Sequence, residues 1–170
     1  QLLELMKLEY GKREFNNTNF DIVEAEKEIV RKSKVMLEEH NVDVKIEGLE
    51  SMTVFADDFY VEQIITNYLT NAIKNVKEIN GEKYISIENS INEKNGKARI
   101  EVFNTGENIK EEDLNRIWNR FYKVDKSRNR QSGGTGIGLA FVKAIMTNYE
   151  NDYGVINCEN GVKFYFELDR

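Results

Sequence analysis

Apolar residues recur along the chain with two periods, and the switches between them divide it into elements. Leu2, Leu3, Leu5, Met6 and Leu8 fall at helical spacing before Gly11. A second helical pattern opens at Asp21, whose carboxylate suits a cap with Glu24 three residues on. Its inward face carries Ile22, Val23, Ile29, Val30, Met36 and Leu37, and it is expected to run to about His40. Alternation then takes over, with Val42, Val44 and Ile46 predicting one strand, Met52, Val54 and Ala56 another, and Gly48 the turn between. The most sustained helical pattern follows. It is capped by Asp57 or Asp58 and carries Val61, Ile64, Ile65, Tyr68, Leu69, Ala72, Val76 and Ile79 at steps of three or four.

Ile85 and Ile87 alternate in step with Ala98, Ile100 and Val102 across a polar turn at Asn95-Gly96, which predicts a hairpin. A short helix bearing Leu114, Ile117, Trp118 and Phe121 is expected next. Residues 123–136 have no apolar period and read as a loop. An apolar helix from Ile137 to about Tyr149 precedes Val155-Ile156 and the alternating Val162, Phe164, Phe166 and Leu168, which are joined by a turn at Asn160-Gly161. Helices in series with mostly antiparallel strands predict an α+β layer arrangement.

Bulk properties narrow the function classes. The 170 residues fit one domain plus a piece of another, and the first helix, with no apolar partner nearby in sequence, is expected to be the tail of a preceding module over residues 1–14. A net charge of −6 argues against nucleic acid as the main partner, because such binding rests on a basic footprint. With Cys158 the single cysteine and His40 the single histidine, a disulfide framework, a cysteine zinc cluster and a multi-histidine metal site are all excluded. No run approaches the roughly 18 apolar residues of a membrane span, so the chain is read as a soluble piece.

Three stretches are candidates for chemistry. On the long helix, Asn67, Asn71, Lys74 and Asn75 share a flank beside the apolar face. Asparagine is a poor helix former, so this flank is either an ordinary polar face or the wall of a polar pocket. In the second case an amide oxygen can ligate Mg²⁺ without adding negative charge near a triphosphate, and Lys74 supplies a point charge for phosphate. "VFNTGENI" at 102–109 leaves a strand with Asn104 and Gly106, either a functional loop or a plain turn. Finally, Gly133, Gly134, Gly136 and Gly138 crowd the mouth of an apolar helix, although each helical glycine costs roughly 1 kcal/mol against alanine. The stretch matches neither the P-loop nor the G-x-G-x-x-G fingerprint, but bare N–H groups at a helix start form an anion site that glycine lets phosphate reach. Lys123, Lys126, Arg128 and Arg130 lie just upstream, either a solvated basic loop or a complement to that anion.

Taken together, "EQIITNYLTNAIKNV", "VFNTGENI", "RIWNRFYKVDKSR" and "GGTGIGLAFVKAI" resemble the N, G1, F and G2 boxes of the ATP-binding catalytic domain of bacterial sensor histidine kinases, in the Bergerat-fold ATPase superfamily. "LLELMKLEYGK" and "VFADDFYVEQI" resemble the family's lead-in, so the likeness spans essentially the whole chain. The resemblance implies a two-layer α/β sandwich with a mixed, mostly antiparallel sheet, helices on one face and a mobile ATP lid over about residues 119–136 of a domain spanning 15–170. It implies ATP and Mg²⁺ as cofactors. Asn71 resembles the metal ligand, Asn67 the residue orienting metal and γ-phosphate, and Lys74 a phosphate contact. Asn75, Asn104, Gly106 and Ile109 fall at nucleotide-contacting positions, as do Gly134, Thr135, Gly136, Gly138 and Leu139 at the phosphate-facing turn. Arg120, Tyr122 and Lys123 correspond to the lid's leading edge, and Phe121 is expected to pack the lid base.

The chain departs from the family pattern at three positions. Asn104 replaces the aspartate that reads the adenine amino group, although its amide oxygen can still accept from that group. Asn108 replaces a glycine, and Asn75 replaces an aromatic residue. The implied function is transfer of the ATP γ-phosphoryl group to a histidine on a preceding helical hairpin, for relay to a response regulator. The parent protein is expected to be dimeric and membrane-attached, with this domain in the cytoplasm. A serine protein kinase of anti-sigma type on the same fold and a non-catalytic nucleotide-sensing or docking module are the alternatives.

Overall fold

The computed structural model describes residues 1–11, 14–124 and 136–170. Its elements run α1 (Leu2–Glu9), β1 (Thr18–Asp21), α2 (Ile22–Lys32), α3 (Lys34–Glu39), β2 (Val44–Gly48), β3 (Thr53–Ala56), α4 (Asp58–Asn75), β4 (Ile85–Ile91), β5 (Ala98–Thr105), α5 (Gly138–Tyr149), β6 (Tyr153–Cys158) and β7 (Gly161–Leu168), with one 3₁₀ turn at Glu111–Asp113.

Five strands form the main sheet in the order β2-β4-β5-β7-β6, with β2 parallel to β4 and every other pair antiparallel. The expected β4–β5 hairpin forms, with Ile87 opposite Val102 and Ile91 opposite Ala98. Ile85, Ile87, Ile100, Val102, Phe164 and Phe166 are buried on the side where α2, α4 and α5 pack. The opposite face carries Lys45, Glu47, Glu88 and Lys163 among its side chains. This is the mixed, mostly antiparallel two-layer arrangement expected from the sequence. Tyr68 of α4 is completely buried among the rings of Trp118, Phe164 and Phe166, with centroids 6.5, 5.3 and 6.0 Å away. Its hydroxyl donates to the Tyr165 carbonyl at 3.0 Å, so the polar end of a large apolar side chain is satisfied.

Several boundaries differ from the sequence reading. The helix expected to reach His40 divides into α2 and α3 at Ser33, whose hydroxyl donates to the Ile29 carbonyl at 2.8 Å; this side-chain bond to the backbone four residues earlier competes with the helical ladder. The long helix ends at Asn75, and Ile79 lies beyond it, bridged to Glu82, because Val76 turns extended and Lys77 N–H donates instead to the Thr105 carbonyl at 2.9 Å. Where a short helix was expected, a single 3₁₀ turn leads into irregular turns that bury Ile117 and Trp118. Strand β1 has no apolar alternation to announce it and pairs with β3 in a separate two-stranded sheet.

Asp57 caps α4 and also ties down the chain that follows α1. Its carboxylate accepts from Phe59 N–H at 3.1 Å and from Asn16 N–H at 2.8 Å, while its own N–H donates to the Tyr149 hydroxyl at 2.8 Å. Phe15 stacks on Tyr149 with ring centroids 4.4 Å apart, completing the anchor. Asp57→Ala is expected to destabilise the fold by about 1–2 kcal/mol through loss of the cap and the strap bond, read as a lowered denaturant midpoint.

Candidate functional site

The polar flank of α4 forms one wall of the site. Asn67 and Asn71 are half-buried, and Lys74 and Asn75 are exposed. The Asn75 amide donates to the Asn71 carbonyl at 2.8 Å and to Asn71 Oδ1 at 3.1 Å, so it satisfies a carbonyl of the last helical turn and orients the Asn71 side chain. Asn67 Nδ2 is buried and has no hydrogen-bond partner among the described residues. Such an orphan carries a cost of roughly 1–3 kcal/mol, which marks it as a group awaiting a ligand or water.

Glycines close in on both ends of this flank. A Cβ at Gly138, the first residue of α5, would lie 2.9 Å from Asn67 Oδ1, so only a bare backbone lets the start of α5 approach α4 this closely. Gly106 has φ +155°, and a Cβ there would lie 2.9 Å from the Asn75 carbonyl oxygen and 3.2 Å from Asn104 Nδ2. Asn104 belongs to the inward row of β5, between Ile85 and Val162, and is almost fully buried. Its Nδ2 donates to the Thr105 carbonyl at 3.0 Å. The loop after β5 is pinned to the β6–β7 turn. Asn108 Nδ2 donates to the Cys158 and Gly161 carbonyls, Ile109 and Asn157 exchange two bonds of 2.9 and 2.8 Å, and Gly106 N–H donates to the Asn160 carbonyl.

On the α5 side the N-cap position is Ile137, which makes no side-chain cap bond, and helix geometry itself leaves the first-turn N–H groups without an intrahelical acceptor. Leu139 is half-buried against the core. Gly136 has φ +73°, and a Cβ on it would meet the Phe121 Cα at 2.6 Å; Phe121 N–H donates to the Gly136 carbonyl at 2.8 Å. Of the lid whose base Phe121 is expected to pack, residues 125–135 lie outside the described residues. Phe121 itself is 61% exposed, its backbone sits at φ +61°, and its contact with Gly136 is made by main chain.

Arg120 pairs with Glu9 of α1, and the Tyr122 hydroxyl donates to Asp113, whose proximity raises the Tyr122 pKa above the ordinary phenol range. Lys123 is half-buried. Gly134 and Thr135, with Lys126, Arg128, Arg130 and Gly133, lie outside the described residues. Asn67, Asn71, Asn75, Asn104, Gly106 and Gly138 are thus brought together along one edge of α4, whereas Arg120 and Tyr122 are engaged by residues the sequence reading did not single out. Asp113 and Asn157 had no signal there, because their partners are distant and isolated Asp and Asn residues are ordinary on loops.

Among the described residues no group of histidine, cysteine or carboxylate side chains could hold a metal ion. What the flank offers is neutral amide oxygen. That suits Mg²⁺, a hard cation that takes oxygen ligands, keeps several waters and is bound largely through substrate phosphates.

The comparisons with known proteins agree with this geometry. The profile of the family described as histidine kinase-, DNA gyrase B- and HSP90-like ATPase matches residues 56–170. Sensor histidine kinase YkoH of Bacillus subtilis is 33% identical over 85% of this chain and 30% of its own length. The solved catalytic domain of histidine kinase ThkA is 28% identical, with a TM-score of 0.76 over 92% of this chain and 96% of that one. ThkA solved in complex with response regulator protein TrrA aligns with a TM-score of 0.72 at 27% identity, over 98% of this chain and 46% of that one. This chain spans about a third of the length of the curated sensor-kinase relatives it matches. A fold that sets an asparagine-lined helix against a glycine-opened one, and a sequence profile covering both, place the chain in the histidine kinase-, DNA gyrase B- and HSP90-like ATPase family.

Proposed function

We propose that this domain binds Mg²⁺-ATP along the α4 flank and passes the γ-phosphoryl group to a histidine of a helical hairpin preceding it, for relay to a response regulator. The observation that carries the reading is the close approach of Gly138 to Asn67, which sets uncapped N–H donors beside amide oxygens. Asn71 Oδ1, oriented by Asn75, is the metal ligand, and Asn67 uses its unpartnered amide to orient the γ-phosphate. Lys74 supplies positive charge. N–H groups of Gly138 and Leu139 donate to phosphate oxygens with the favourable end of the α5 dipole behind them. Asn104 accepts from the adenine amino group, and Ile109 flanks the base. When bound, Mg²⁺ neutralises charge on the phosphates, and the rest of catalysis is positioning. In the transfer a P–N bond to the imidazole forms as the P–O bond to ADP breaks.

Residues 1–14 are assigned to the end of the preceding hairpin. Leu5 and Leu8 bury against the domain, whereas Leu2, Leu3 and Met6 turn apolar surface outward. We assign the domain to the cytoplasmic side of a dimeric, membrane-attached parent; the described residues contain no helix long and apolar enough to cross a membrane. ThkA's complex with a response regulator supports a partner of that class.

Calorimetric titration with ADP is expected to show one site whose affinity rises on adding Mg²⁺. Asn71→Ala should remove most of that rise and weaken Mg²⁺-dependent binding by at least ~10-fold, the loss of one metal ligand of roughly 1.4 kcal/mol. Unchanged metal dependence in the variant would refute the ligand assignment. Gly138→Ala should press on Asn67 and weaken binding similarly, read in the same titration. Incubated with ATP and a separately made hairpin from the same protein, the domain should label it with acid-labile phosphate; an acid-stable product would point to serine instead.

A further inference from the structure

Two polar residues interrupt otherwise apolar rows far from the nucleotide flank. Glu26 sits in the inward stripe of α2 with Ile22, Val23 and Ile29, and Asn89 in the inward row of β4 with Ile85 and Ile87. Glu26 is 0% and Asn89 1% exposed. Asn89 Nδ2 donates to Glu26 Oε2 at 2.7 Å. Among the described residues two atoms of the pair are left without a partner, Glu26 Oε1 and Asn89 Oδ1. Both are acceptors when the carboxyl is ionised, so the ionised pair carries two buried unsatisfied oxygens and an uncompensated charge, each expensive. A single proton removes all three faults. A carboxylic acid and a primary amide are complementary, each offering one donor and one acceptor.

We propose that Glu26 is a neutral carboxylic acid in the folded protein, its Oε1–H donating to Asn89 Oδ1, so that acid and amide close a two-bond pair clamping α2 to the sheet. The surroundings favour this form. Burial, the largest influence, raises the carboxyl from 4.5 to about 7, against the lowering effect of the Asn89 bond, and the charge of Asp21 at the start of α2 raises it further. From β4 the facing polar group is the neutral Asn89; α4 turns inward Val61, Ile64, Ile65 and Tyr68, and Glu47 and Glu88 lie on the opposite face of the sheet. Among the described residues no ion pair holds Glu26.

The sign follows from proton uptake. Between about 4.5 and about 7 the folded state binds a proton that the unfolded chain has released, so the pair's contribution is complete below that window and is lost as pH rises through it. The grip of α2 on the sheet thus weakens towards neutral and alkaline pH.

Glu26→Gln tests this directly, because the Gln amide N–H replaces the acid O–H and keeps both bonds at every pH. Denaturant unfolding of both proteins should show the stability ratio of variant to parent rising roughly 10²-fold from about pH 5 to about pH 8.5, titrations common to both cancelling. A flat or falling ratio overturns the proposal. In the unmutated chain carrying ¹³C-labelled glutamate carboxyls, one carboxyl should titrate near neutrality. If every one titrates below about pH 5 the idea fails, whether or not the variant folds. Neither measurement involves nucleotide, so the result stands apart from the ATP-binding reading.

Discussion

No side chain fits where the start of α5 and the loop after β5 meet the flank of α4. At Gly138 and Gly106 even a methyl carbon would come within 2.9 Å of an α4 oxygen, from Asn67 and Asn75 respectively. These two contacts set the spacing of everything near the site. They bring an uncapped helix start to one end of the amide row and the buried Asn104 to the other. The cost is borne locally, because asparagine in a helix and glycine at a helix start both weaken the element that contains them.

The other side of α4 makes that cost tolerable. Val61, Ile64, Ile65, Tyr68, Leu69 and Ala72 are buried against the sheet and neighbouring helices, each large side chain contributing about 1.5–3 kcal/mol of transfer free energy. Burial on that scale outweighs several poor helix formers on the polar flank, whose penalties are tenths of a kcal/mol each. The ring of Tyr68 locks the middle of the helix, and Asp57 fixes its first turn to the strap that follows α1. The α4 flank is therefore rigid at its base, as the proposed positioning role requires.

Much of this was legible in the chain itself. The hairpins at Asn95-Gly96 and Asn160-Gly161, the amphipathic α4 and the apolar α5 follow from period and turn chemistry, because local preference and tertiary demand agree there. Other features depend on contacts between distant residues. Strand β1 exists because β3 offers it an edge, and α2 breaks at Ser33 through a hydroxyl bond that periodicity does not register. Val76 leaves the helix because Thr105 supplies a carbonyl from another strand. At the site, the α4 asparagines and the glycines stood out through their cost in a helix. Asp113 holding Tyr122, Glu9 holding Arg120 and Asn157 holding Ile109 did not, since each is an unremarkable residue until the fold supplies its partner. Glu26 and Asn89 break apolar rows, a visible signal whose meaning appears only once the two rows face each other.

The central claim is that nucleotide occupies the edge of α4 between Gly106 and Gly138 and not the groove on the sheet's opposite face, lined by Lys45, Tyr84, Phe103 and Lys163. Amide chemical-shift mapping on titration with a non-hydrolysable ATP analogue and Mg²⁺ addresses it most directly. The account predicts saturable shifts concentrated at residues 67–75, 104–109 and 136–139, with Lys45, Tyr84 and Lys163 unmoved. Shifts centred on those sheet residues, with the α4 flank silent, would contradict it.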